Sequence, residues 1–145
     1  MDDVRDPEHR LRFDKTHGSE TIMFELKILS HFAAAHQLTM VAKKCENLHG
    51  HNWKVEVCVK GDRLNDAGVV IDFGILKEYV KAIMSRLDHK FLNELPYFEN
   101  VAPSSENIAV YIANSLQEMI KEPEMAVSRV TTWESDGACA TYFPQ

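Results

Sequence analysis

The apolar positions of residues 21–36, TIMFELKILSHFAAAH, are rich in β-forming side chains and read as a first strand, with Phe24, Leu26 and Ile28 on one face. TMVAKKCENLHG breaks the pattern and reads as a loop. HNWKVEVCVKG restores it: Trp53, Val55, Val57 and Val59 point one way, and Lys54, Glu56, Cys58 and Lys60 the other. DRLNDAG is a polar connection with turn chemistry. After VVID the period lengthens to about 3.6. Phe73, Leu76, Val80, Ile83, Met84 and Leu87 then form one helical stripe, with Asp72 as its N-cap.

DHKFLNELPYFENVAPS reads as a long irregular connection. A second helix starts near Ser104 or Ser105, carries Ile108, Ile112, Leu116 and Ile120 at every fourth position, and stops before Pro123. VSRVTTWES and ACATYF flank Asp136-Gly137, a pair that favours a type I′ hairpin turn. The order is ββααββ. An α+β arrangement accounts for it, a four-stranded antiparallel sheet with two helices on one face.

The 145 residues suffice for one domain and a sizeable core. Residues 1–20 are highly charged and poor in apolar side chains, so a flexible N-terminal extension is expected there and the folded domain over 21–145. A net charge of −6 argues against a general nucleic-acid or membrane-surface role, which needs a basic footprint. It leaves room for an anionic small substrate in a local basic pocket. The N-terminus lacks the apolar centre of a secretory signal, and Cys45, Cys58 and Cys139 have no framework spacing. A reduced, cytoplasmic protein is expected.

Candidate chemistry concentrates in CENLHGH, residues 45–51. His49 and His51, two apart on an extended segment, share the face of Trp53 and Val55. A catalytic zinc site takes three protein ligands at about 2.0–2.3 Å and keeps one position open. His36, just past the first strand, is the natural third ligand, and His31 is its competitor. Cys45 has three readings: a fourth ligand closing a structural site, a buried small hydrophobe, or a base beside the metal whose thiolate is favoured by Lys43 and Lys44. Cys58 faces away from the histidines and suits the core. On their residue types alone, Asp88 reads as a residue capping or following the first helix and His89 as a loop histidine. Glu106 reads as a first-turn carboxylate favoured by the helix dipole, and Glu134 as a polar strand residue.

The motifs FAAAHQL, CENLHGHNW, VVIDFGILK, LDHKFLN, PSSENIAVYIA and WESDGACATY occur in an order and spacing that resembles the 6-pyruvoyltetrahydropterin synthase superfamily. Within it the chain is most similar to the bacterial 6-carboxytetrahydropterin synthases of queuosine biosynthesis. The resemblance implies the tunnelling fold, with zinc on His36, His49 and His51 and a catalytic thiolate at Cys45. It implies a proton relay of Asp88 and His89, a pterin-anchoring Glu134 counted with that relay, and Glu106 as a second pterin-side carboxylate. The three-residue gap between Cys45 and His49 matches the carboxytetrahydropterin type; animal pyruvoyl synthases carry a longer insert. WESDGA departs from the threonine that often follows this glutamate.

The implied reaction converts 7,8-dihydroneopterin triphosphate to 6-carboxytetrahydropterin, acetaldehyde and triphosphate. Hydrogen moves internally from side chain to ring, so no nicotinamide or flavin is required, and no G-x-G-x-x-G or P-loop pattern occurs. A pyruvoyl product, or a non-catalytic zinc module with Cys45 as a ligand, are the alternatives. Lys27, Lys43, Lys44, Lys54, Arg63 and Lys90 are candidates for the phosphates. A homohexamer with sites at subunit interfaces is expected from the family, with a small pterin as substrate and neither nucleic acid nor membrane as partner.

Overall fold

The computed structural model of the chain describes residues 22–39 and 47–145. The expected N-terminal extension, Lys43, Lys44 and Cys45 lie outside the described residues. The alternating stretches form two long antiparallel strands, β1 (Phe24–His36) and β2 (His49–Gly61), paired from Phe24–Gly61 to His36–His49. Helix α1 (Phe73–Leu87) follows, then β3 (Lys90–Phe91), α2 (Ser105–Met119), β4 (Met125–Ser135) and β5 (Ala138–Tyr142). The strands lie side by side in the order β3-β1-β2-β4-β5.

Three expectations need correction. The sheet has five strands and is not antiparallel throughout, because Lys90–Phe91 pairs in parallel with Ala34 and Ala35. Two residues are too few to leave a period in the sequence. Phe73 leaves the apolar stripe: it occupies the first position of α1 and is exposed, while Leu76, Val80, Ile83, Met84 and Leu87 are buried. The β4–β5 turn is not type I′, since neither Asp136 nor Gly137 takes a positive φ. The pairing instead slips by one between Trp133 and Ser135, leaving Glu134 as the unpaired residue of a β-bulge.

The helix ends follow their caps. Asp72 accepts from Gly74 N at 2.7 Å, and Ser104 from Asn107 N at 3.2 Å. Both helices lie over the face of Ile28, Phe32, Trp53, Val55, Val57 and Val59, with Leu76, Ile83, Ile108, Ile112 and Leu116 filling the core. Each such side chain contributes about 1.5–3 kcal/mol on burial, so this face is the rigid one. Trp53 stacks on Phe32 with ring centroids 5.8 Å apart and planes 5° apart, and its Nε1 donates to Ala34 O at 3.4 Å.

The other face is open and polar. Arg129 pairs there with Glu25 at 2.7 Å, and Lys27 with Glu56 at 4.0 Å. Cys58 is buried beneath these charges, and burial, reinforced by the Glu25 carboxylate, pushes its thiol pKa up. No helix among the described residues is long and apolar enough to cross a membrane.

Candidate active site

In-register pairing of β1 with β2 sets His36 opposite His49 and Ala34 opposite His51. Alternation turns all three imidazoles to the helix-covered side, where the apolar face ends. Ring centroids lie 4.6 Å apart for His36–His49, 5.1 Å for His36–His51 and 4.6 Å for His49–His51. His36 and His51 meet Trp53 edge-on at 5.2 and 5.3 Å, so the stacked Trp53–Phe32 pair backs the cluster. His31 is exposed opposite Lys54 on the other face of β1 and stays out of the group.

Hydrogen bonds fix the tautomers. His36 Nδ1–H donates to Pro103 O and His49 Nδ1–H to Asn47 O, each at 2.7 Å. A carbonyl cannot donate, so in the neutral rings both Nε2 atoms carry lone pairs. These two atoms face each other at 3.0 Å. His51 Nε2 is buried and, although 2.8 Å from Glu134 Oε1, makes no aligned hydrogen bond. Burial lowers the His51 pKa, reinforced by His49 and His36 and opposed by the Glu134 carboxylate, and the net lowering favours the neutral ring. Converging lone pairs with no proton between them fit a bound cation.

Glu134 completes the group from the bulge. Its Oε1 lies 3.4 Å from His36 Nε2 and 3.9 Å from His49 Nε2, and the four donor atoms fall within 4.8 Å of one another. Three imidazoles and a carboxylate suit zinc or a similar divalent ion. A ligand histidine whose other nitrogen donates to a carbonyl is the usual supporting arrangement around such an ion. The resemblance assigns Glu134 to the pterin ring and the relay; the structure brings its carboxylate to the histidines.

Asp88 and His89 occupy the break after α1. Asp88 Oδ1 accepts from Ala33 N at 2.8 Å, and Oδ2 lies 2.8 Å from His89 Nδ1. The Ala33 N–H, with His89 adding to it, holds the Asp88 carboxyl below its ordinary value of 3.8. His89 N donates to Ala33 O at 2.6 Å, and its φ of 56° is left-handed, a conformation costing a non-glycine residue roughly 1–2 kcal/mol. His89 and His51 both line a cleft of about 480 Å³ with Ala33, Ala35, Gly50 and Asn52, within the size range of small-molecule sites.

Glu106 is exposed in the first turn of α2. The entry to that helix touches the site through Pro103 O, and Ser105 O accepts from Thr132 Oγ1 at 2.6 Å. Of the phosphate candidates, Lys90 lines the cleft, Lys54 lies over the Trp133 ring at 5.2 Å, and Arg63 pairs with Glu124 at 3.3 Å. The carbonyls of Pro103 and Asn47 and the amide of Ala33 escape sequence reasoning, because a backbone group has no residue-type signal.

Residues 25–145 match the family model described as 6-pyruvoyl tetrahydropterin synthase. The human 6-pyruvoyl tetrahydrobiopterin synthase is 37% identical over 120 residues, covering 80% of this chain and 81% of that protein. The 6-carboxy-5,6,7,8-tetrahydropterin synthase of Synechocystis sp. is 40% identical over 92 residues, covering 60% of this chain and 70% of that protein. The fold matches the 6-pyruvoyl tetrahydropterin synthase structure from Caenorhabditis elegans with a TM-score of 0.76 at 24% identity, over 86% of this chain and 98% of that one. The architecture is the α+β tunnelling fold, and the chain belongs to the 6-pyruvoyl tetrahydropterin synthase family.

Proposed function

We propose that the protein is a zinc-dependent 6-carboxy-5,6,7,8-tetrahydropterin synthase serving queuosine synthesis. With water, it converts 7,8-dihydroneopterin triphosphate to 6-carboxytetrahydropterin, acetaldehyde and triphosphate. The convergence of His36, His49 and His51 on one point, two of them with fixed tautomers, carries this reading. Those histidines would hold the zinc, with Glu134 beside it. When bound, zinc supplies Lewis acidity toward the hydroxyls of the substrate side chain.

The chain's own groups handle the protons. Asp88 takes the Nδ1–H of His89, which leaves His89 Nε2 to accept a proton at the cleft and release it to solvent. Cys45, four positions before His49, is assigned the role of base for the side-chain carbons. Glu134 and Glu106 are assigned to the donor edge of the pterin, where ring N–H and amino groups meet a carboxylate. The outer edge of β5 and the outer edge of β1 from Phe24 to Phe32, which pair with no strand on that side among the described residues, support the expected hexamer.

The gap between Cys45 and His49 favours the carboxy product, while the human relative, similar over 120 residues, favours the pyruvoyl one. Incubation of the zinc-loaded protein with dihydroneopterin triphosphate separates them. Acetaldehyde with carboxytetrahydropterin is the expected result; pyruvoyltetrahydropterin without acetaldehyde overturns it. A Cys45→Ala variant should keep its zinc and lose turnover. Loss of both would make the thiol a metal ligand, and a zinc-loaded wild type without turnover would make the module non-catalytic.

A further inference from the structure

The segment after α1 is joined to the edge of β1 residue by residue. Ala33 is held at both ends, its N–H by Asp88 Oδ1 and its C=O by the N–H of His89. Ala34 and Ala35 pair with Lys90 and Phe91. Beyond Phe91 the backbone curls into a 3₁₀ turn, Leu92–Glu94, and no longer runs as a strand. The side chain of Asn93 takes over there: Oδ1 accepts from Gln37 N at 2.9 Å, and Nδ2 donates to Gln37 O at 2.8 Å. One carboxamide thus meets both polar groups of Gln37, as a peptide unit does in a ladder. Leu92, fully buried, anchors the turn that presents it.

Gln37 directly follows His36. The His36 backbone pairs with His49 on one side, its ring is fixed by Pro103 O, and the next peptide is gripped by Asn93. His89 and Asn93 therefore bracket a single short segment that touches the end of β1 and the residue after it, from Ala33 to Gln37.

We propose that Asn93 is a positioning residue. Its carboxamide locks the backbone after His36 and so holds the metal-binding imidazole in fixed relation to the Asp88–His89 pair. This rests on the reading of His36, His49, His51 and Glu134 as a metal site. Without the clamp the Gln37 backbone loses two hydrogen bonds, the aim of the His36 ring loosens, and the metal is bound less tightly.

The test uses the full chain, stripped of metal and titrated with Zn²⁺ against a chromophoric chelator. Wild type is compared with Asn93→Ala, Asn93→Asp and Asp72→Ala. Asn93→Asp keeps the size and the acceptor for Gln37 N–H but sets a carboxylate against Gln37 O. Asp72→Ala removes the cap of α1, away from the site, and serves as the control for lost stability. Both Asn93 variants should bind zinc about tenfold more weakly, the cost usual for an outer support of a metal ligand. Their kcat on dihydroneopterin triphosphate should fall with KM near wild type. Asp72→Ala should melt at a lower temperature yet bind zinc as wild type does. Unchanged zinc affinity in the Asn93 variants, or an equal loss in Asp72→Ala, overturns the clamp alone. A wild-type chain that binds no zinc overturns the metal-site reading and the clamp with it.

Discussion

The histidine cluster and the Asp88–His89 pair are neighbours, with His51 and His89 lining one cleft, yet they are held by different means. The histidines stand on the two longest strands, backed by Trp53 and Phe32, and His36 is 1% exposed. The His89 ring is 82% exposed, and its place is set by a left-handed backbone and by both polar groups of Ala33. Strand pairing, the Trp53 wall and two carbonyl hydrogen bonds fix the first group; torsion and the two polar groups of Ala33 fix the second. A metal needs several donors converging on one point, whereas a proton carrier needs one oriented nitrogen and an open path.

That contrast is tested most strongly by His51→Ala. Zinc content after dialysis should be lost and turnover should fall more than about a thousandfold, since Lewis acidity and substrate orientation go together. Glu134→Gln, of the same shape, should lower turnover about a hundredfold while weakening zinc binding less than His51→Ala does. Equal loss of zinc in the two variants would move Glu134 wholly to the metal side of the comparison.

His89→Ala should also cost about a hundredfold in turnover, with zinc retained in full. Urea melts should then rank His89→Gly above His89→Ala by about 1 kcal/mol, because only glycine adopts this φ without penalty. No difference between the two would mean that torsion does not hold the pair.

The smallest effect concerns acid. Asp88 has its carboxyl pKa depressed in the folded state, so its contribution is complete above the ordinary value of 3.8 and is lost as the pH falls through the lowered one. Asp88→Asn should flatten that part of the stability profile and leave the neutral range unchanged in slope.

Local rules explain what the sequence discloses. Alternation sets His49 and His51 on the face of Trp53, and the meeting of strand ends brings His36 to them, as the His36–His49 pair confirms. Helix stripes and caps follow from the 3.6 period and from Asp72 and Ser104. The unread parts depend on distant chain. The approach of Glu134 needs the β2–β4 register, which is not written in WES. β3 is shorter than any period. The turn at His89 lacks the glycine that usually marks a positive φ.

At the bulge β4 carries one residue more than β5, so its geometry is encoded in length as well as in identity. Deleting Ser135, or adding one residue to β5, restores equal strands while leaving every chemically named side chain in the sequence. The apolar interior and the alternation of Thr132, Trp133 and Glu134 are untouched, so such a variant should still fold and melt cooperatively, with its carboxylate on the same face but its backbone drawn into the β5 ladder and its distance to the imidazoles changed. A single-codon change in a surface hairpin therefore acts on the reach of this carboxylate, which a comparison of conserved letters alone does not register.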